Sequence, residues 1–424
     1  MFTTRRLTPL FIAGAITLLF FALFQGTEIT DSLKHVPQAV GLGRDWPSDE
    51  QIASGEDILP DLRKVGKTPP YANPSPLYAP GTPKPAGELY TRTLVIPRLK
   101  EDNTSWIERE LADMLYPMGP LQTAIYVVND RHAPLHPPKN KGHEGMVYLT
   151  YIIDHYDNLA DISIFTHSHR YAWHNNDVLG NDAAQVIRYL SPARVLREGY
   201  MNLRCHWDPG CPDWLHPGTV ERNNQKQEEI LIAESWSEIF PLDPIPPVLA
   251  QPCCAQFALS RDRILAIPLS RYIYYRDWLL RTPLDDYLSG RVWEYIWQYV
   301  FTGNNVECPE MHACYCDGFG ICFGGAEKHN EYFELQYRLR EHQAELTEWR
   351  KKQTAIENAK ESGLIDEAAL LQVPELGRDE WLLAAIDELK AEMKEMKKEA
   401  RERGKLPQNR AAEAGRAWVE GDGF

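Results

Sequence analysis

The chain has 424 residues, 43% of them hydrophobic and 25% charged, which is the make-up of a folded globular protein longer than one average domain. Its formal net charge of −15 argues against nucleic acid as a main partner, because phosphate backbones are bound by basic faces. No G-x-S-x-G, H-E-x-x-H or catalytic-cysteine signature occurs, which sets aside the common hydrolase classes.

Near the N-terminus, Arg5 and Arg6 precede an apolar run, "LTPLFIAGAITLLFFALF", from Leu7 to Phe24. That is about the minimum length for a membrane-spanning helix. It is longer than a typical signal-peptide core and no A-x-A site follows it, so a retained signal anchor is expected over a cleaved one. Basic residues before the run and Glu28 and Asp31 after it predict a cytosolic N-terminus and a lumenal remainder, in the Golgi or the ER. The predicted organisation is a cytosolic stub and anchor over 1–26, a Pro-rich stem over 27–92, an α/β domain over 93–325 and a charged helical tail over 326–424.

In the α/β domain, "TLVIPRL" (Thr93 to Leu99) reads as a buried strand. "NTSWIERELADMLY" reads as a helix capped by Thr104 or Ser105, with Trp106, Leu111 and Leu115 on one face. Asn103-Thr104-Ser105 is also a glycosylation triplet. "AIYVVND" is a second strand, "KGHEGMVYLTYIIDHYDNL" a helix with Met146, Leu149, Ile153 and Tyr156 at helical spacing, and "DISIFTH" a third strand. This alternation predicts βαβ units in a mostly parallel sheet, Rossmann-like or GT-A-like in type. "DAAQVIRYL" and "NNQKQEEILIAESWSEIF" follow as helical patterns. "CCAQFALSRDRILAIP" then reads as a strand and a helix, and "RVWEYIWQYVF" as one amphipathic helix carrying Glu294.

All eight cysteines fall between 205 and 322, and an even number in a lumenal domain reads as disulfides. "CHWDPGC" suggests a local loop between Cys205 and Cys211. Zinc held by His312, Cys314 and Cys316 is the competing reading, although paired C-x-x-C spacing is missing. From Ala326 onward charge rises. Leu335, Leu339, His342, Leu346 and Trp349, and then Leu382, Ile386, Leu389, Met393 and Met396, recur at heptad spacing. A helical hairpin or short coiled coil is expected, with self-association through 326–424.

Two stretches carry candidate chemistry. Gly142-His143-Glu144-Gly145 opens the second helix, where free N–H groups, Lys139, Lys141 and His143 favour an anion. The stretch "IFTHSHRYAWHNND", from Ile164 to Asp177, leaves the carboxyl end of the third strand, where α/β sheets bind ligands. His167, His169, His174 and Asp177 are candidate ligands for a divalent metal, Mn or Mg. Arg98, Lys141, His143, Glu144, Trp173 and Asn175 are candidate substrate contacts. His174 and Glu294 are candidate catalytic groups, Glu294 as a base or as the group orienting an acceptor hydroxyl, with a core-edge Glu paired with a nearby Arg as the plainer reading of Glu294.

The ordered set "LVIPRLKEDNTSWI", "YVVND", "KGHEGMVYLTYIIDHYDNLADISIFTHSHRYAWHNND", "CCAQFALSRDRI" and "RVWEYIWQYVF" resembles a mainly fungal family, the domain of unknown function 3431, over about residues 93–325. That resemblance carries no activity. The element order is similar to nucleotide-sugar glycosyltransferases of the GT-A type at fold level only. It implies a sugar transferase, with His167-Ser168-His169 where such enzymes usually carry Asp-x-Asp. A metal-dependent oxidoreductase or hydrolase using the histidines, and a membrane-anchored assembly protein, are the rival expectations.

Overall fold

The computed structural model describes residues 78–85, 87–223, 226–363 and 370–420. The expected anchor at 7–24 and most of the stem lie outside the described residues. Among the described residues, no helix is long and apolar enough to cross a membrane.

Five strands form one sheet: β1 (Arg92–Arg98), β2 (Leu121–Val127), β3 (Ile162–Phe165), β4 (Tyr200–Asn202) and β5 (Phe257–Ser260). Their spatial order is β2-β1-β3-β5-β4. β1 is parallel to both β2 and β3, but β5 runs antiparallel to β3 and to β4. The sheet is therefore mixed, which corrects the expectation of a mostly parallel one. The short strands are apolar because both of their faces are covered. Side chains alternate between two cores as strand geometry requires. Val95, Tyr126, Phe165 and Phe257 face one core, while Leu94, Ile96, Ile164 and Ala258 face the other.

The first core is closed by α2 (Glu144–His155), α5 (Glu229–Ile239), α7 (Leu269–Arg281), α8 (Asp286–Glu294) and α9 (Trp297–Thr302). The second is closed by α1 (Trp106–Glu110), α3 (Ala183–Tyr189), α4 (Pro192–Glu198) and α10 (Met311–Phe319). α6 (Arg261–Leu265) follows β5 directly. Gly145 to Ile152 of α2 are all buried, so this helix is apolar all round and serves as core. The stretch expected to be one helix, "RVWEYIWQYVF", is broken at Tyr295 and Ile296 into α8 and α9, with the Gln298 amide donating to the Tyr295 carbonyl at 2.9 Å.

The cysteines form four disulfides: Cys205–Cys314, Cys211–Cys308, Cys253–Cys254 and Cys316–Cys322. The pairing corrects the expected Cys205–Cys211 loop. It also leaves no thiolate for the zinc reading, since Cys314 and Cys316 are both oxidised.

The tail folds as α11 (Ala326–Glu361), α12 (Arg378–Gly404) and α13 (Pro407–Glu413). α11 and α12 make an antiparallel hairpin. Leu346 packs with Leu382 and Ile386, and the Arg378 guanidinium forks onto Glu345 at 2.6 and 2.9 Å. The base of the hairpin joins the second core through Tyr332, Phe333, Leu335, Leu389 and Met393. Buried Asp317 on α10 accepts from Arg197 at 2.9 and 2.7 Å and from Arg416, beyond α13, at 2.7 Å.

Candidate functional site

The chain leaves β1 for β2 on one side and returns to β3 on the other, so strand order reverses between β1 and β3. Open α/β sheets bind ligands beyond the carboxyl ends of strands at such a reversal. Phe257 opens β5 opposite both Phe165 and Asn202. The residues preceding β5 therefore share an edge with the loop that leaves β3. The Gln256 side chain fastens the two, with Oε1 accepting from Thr166 Oγ1 at 2.5 Å and Nε2 donating to Asn175 Oδ1 at 3.1 Å.

At this edge His167 Nδ1 and His174 Nε2 face each other at 2.9 Å. His167 Nε2 is buried, has no hydrogen-bond partner and stands 4.0 Å from Glu144 Oε2 at the start of α2. Burial pushes the Glu144 carboxyl up to about 8. Its own backbone N–H works against the shift, and Glu294 and Asp286 add to it. Burial pushes the His167 imidazole down to about 4, helped by the charges of His169 and His143. Burial and His167 hold His174 well below the ordinary histidine range. At neutral pH Glu144 thus carries its proton and both imidazoles are neutral.

Glu294 is held by both oxygens. Oε1 accepts from the Cys254 N–H at 3.1 Å and Oε2 from Arg291 at 2.5 Å. Arg291 also donates to buried Glu228 at 2.8 Å and to the Tyr295 hydroxyl at 2.5 Å. Sequence reasoning had Glu294 and its pairing with a nearby Arg, here Arg291, but missed Glu228 and Gln256. It also missed the role of the adjacent cysteines. The i, i+3 spacing of Arg291 and Glu294 and the doublet Cys253-Cys254 before a strand were the available signals.

The other expected site residues divide. Arg98 sits at the carboxyl end of β1 and donates to the Asp102 carbonyl at 2.8 Å. Asp102 in turn accepts from Ser168 Oγ at 3.0 Å, tying this loop to the histidine stretch. His143, at φ 49°, donates its N–H to Asp286 at 3.0 Å, and its ring lies over Gly290, where an added Cβ would come within 2.7 Å of Cγ. Trp173 is exposed beside His174, with the Arg204 guanidinium 5.5 Å from its ring. His169 is exposed. Lys141 is buried and donates to the Thr282 carbonyl at the end of α7 at 2.5 Å, so its charge is engaged there. Asn175 is buried and clamps the loop through the Arg170 and Asn181 carbonyls.

Asp177 turns to the other side of the loop. It accepts from the Tyr315 hydroxyl of α10 at 2.7 Å and lies 3.8 Å from Arg340 of α11. The expected quartet of His167, His169, His174 and Asp177 therefore does not converge. Among the described residues, the one group of three histidine, cysteine or carboxylate ligand atoms within 4.8 Å is Cys316, Cys322 and Glu413, and those two sulfurs are bonded to each other.

Fold and site define an α/β protein with a mixed sheet, whose buried Glu144 carboxyl and imidazole pair stand where strand order reverses and whose clamped Glu294 carboxylate is bound to the turn before β5. Residues 94–317, just over half of the chain, match the family described as protein of unknown function DUF3431, and the chain belongs to that family. No curated protein and no solved structure matches it.

Proposed function

We propose that this protein is a glycosyltransferase-like, membrane-anchored enzyme of the secretory pathway that moves a sugar from a nucleotide-sugar donor to an acceptor hydroxyl. The observation that carries this reading is the Glu144–His167–His174 group at the β1/β3 reversal, with the Arg291-held Glu294 bound to the turn before β5 that Gln256 ties to the same histidine stretch. A donor diphosphate is anionic, and a carboxylate at the α2 start would repel it. A protonated Glu144 removes that repulsion and leaves the helix N-terminus and Arg98 to meet the charge. A divalent ion at this site would take His167 and His174 as its protein ligands. The exposed Trp173 ring offers an apolar face to a sugar.

In the transfer step Glu294 takes the proton of the acceptor hydroxyl as that oxygen bonds to the anomeric carbon. The bond to the nucleoside diphosphate breaks, and the diphosphate leaves with the electron pair. Four disulfides suit an oxidising lumen. The test is a panel of UDP-, GDP- and CMP-sugars on detergent-solubilised full-length protein, read as thermal stabilisation and as release of free nucleotide. One donor should both stabilise the protein and turn over, and Glu294→Gln should cut kcat by about 10²- to 10⁴-fold, the range for losing a general base. A panel in which no sugar nucleotide shifts the melting curve would overturn the reading.

A further inference from the structure

The four disulfides do different physical work. Cys205–Cys314 and Cys211–Cys308 join residues 109 and 97 apart, so each constrains a long stretch of the unfolded chain. Cys253 and Cys254 are neighbours, and their bond closes only the small ring around the peptide bond that joins them, spanning no other residue. Chain entropy gives it no stabilising role, so its effect is confined to the local backbone.

That backbone is unusual. Cys254 has φ 89° and Ala255 has φ 48°, both in the left-handed region that residues with a Cβ avoid. Strain of this kind persists where the surroundings over-determine it, and it clusters at functional sites. Here the surroundings are visible on every side. The Cys253 N–H donates to the Pro209 carbonyl at 3.1 Å, beside Gly210, where an added Cβ would stand 1.9 Å from the Gln251 carbonyl oxygen. Asn202 donates to the Pro252 carbonyl at 2.6 Å. The Gln251 side chain bridges the Tyr200 hydroxyl at 2.6 Å and the Glu294 carbonyl at 2.7 Å. Gln256 is fixed by Thr166 and Asn175. The group this pinned turn offers to Glu294 is the Cys254 N–H.

We propose that the Cys253–Cys254 disulfide is a positioning device for Glu294: it holds the Cys254 N–H on Glu294 Oε1 while Arg291 holds Oε2, so that the carboxylate is fixed in one orientation at the β1/β3 edge. The catalytic consequence rests on the reading of Glu294 as the base. The positioning itself does not, and the two are tested by separate readouts.

The first readout is hydrogen exchange of the Cys254 amide in the full-length protein. Cys253→Ser/Cys254→Ser and Glu294→Ala should each speed its exchange by about ten- to a hundredfold, the scale of one lost hydrogen bond to a charged acceptor. Cys316→Ser/Cys322→Ser, which removes another short-range disulfide, should leave it protected. Full protection of that amide in Cys253→Ser/Cys254→Ser would overturn the proposal whatever the enzyme does. The second readout is turnover of the sugar nucleotide that passes the donor screen. The serine pair should lower kcat with KM for the donor unchanged. Combined with Glu294→Gln it should lower kcat no further than Glu294→Gln alone, because the bridge acts through that side chain. Additive losses would overturn the proposal. A Glu294→Gln variant with unchanged turnover would instead sink the base assignment, leaving the amide exchange to decide the positioning.

Discussion

Replacing Glu144 by Gln should make the protein more stable at neutral pH. The carboxyl is buried at the start of α2, its side chain 14% exposed, and burial, with the charges of Glu294 and Asp286 added, outweighs its backbone N–H and Arg291, so its folded-state value stands at about 8 against an ordinary 4.5. For an acid whose value is raised on folding, the contribution to stability is intact below about pH 4.5. It is lost as pH climbs toward 8, because the unfolded chain releases a proton that the folded one keeps. At about 1.4 kcal/mol per unit, the loss at pH 7 has an upper bound of about 3 kcal/mol. Partial contact with solvent trims this to about 1.5–3 kcal/mol. Gln keeps the shape and carries no charge in either state. Urea unfolding under non-reducing conditions at pH 5, 7 and 8.5 should show the variant gaining on the native protein with each step up. A difference that stays flat with pH, or that turns against the variant at high pH, would refute a buried, proton-bearing Glu144.

Acid should destabilise the protein through the imidazole pair. Burial holds His167 at about 4, so stability is intact above the ordinary histidine value near 6.5 and is lost as pH falls toward 4, by up to about 3 kcal/mol. His167→Gln should flatten the unfolding free energy across that window, and a native-like slope in the variant would count against the pair. Asp317→Ala should cost about 3–5 kcal/mol, because it removes the buried carboxylate that pairs with Arg197 and Arg416 and lies 4.0 Å from Arg194. The readout is urea unfolding together with proteolysis, and the cut sites should appear first around α13. Resistance of that segment to protease in the variant would show that the tail is anchored by other contacts.

Strands β1, β2, β3 and β5 were legible because each is a short apolar run between polar residues. Their directions were not, because "CCAQFALS" gives the same apolar signal whichever way it crosses the sheet. β4 has three residues, Tyr200 to Asn202, too few to make a pattern. The break between α8 and α9 escaped because burial on all sides leaves no polar stripe to lose its phase. Heptad spacing found the hairpin, but its contact with the second core through Tyr332, Phe333 and Leu335 needed the third dimension. The long-range disulfides were illegible for the same reason: spacing favours near pairs, whereas Cys205 finds Cys314 across the second core.

The histidine stretch was placed correctly by topology, since any chain leaving β3 must emerge at that edge. What failed was treating its polar residues as one set. A short turn at Asp177–Leu179 swings Asp177 toward Tyr315, 138 residues away in the chain, while His174 stays with His167. Residues adjacent in sequence thus serve opposite sides of one loop.

The partners, and not the residue types, decide what each acidic side chain can do. Asp177 is buried, yet the charges of His206, Arg204 and Arg340 and the Tyr315 hydroxyl hold its carboxyl below the usual range against the pull of burial. It ties the loop to α10 through Tyr315 and lies 3.8 Å from Arg340 of α11. Glu144 is also enclosed, but the charges of Glu294 and Asp286 add to burial, and together they outweigh its backbone N–H and Arg291. Glu294 has a guanidinium on one oxygen and a backbone N–H on the other. The two carboxyl groups are thus held differently: one is buried beside an imidazole, the other is clamped by a guanidinium and a backbone N–H. The fold supplies this arrangement from three directions: the start of α2, the end of α8 and the strained turn before β5. None of those segments would reveal this arrangement when read alone.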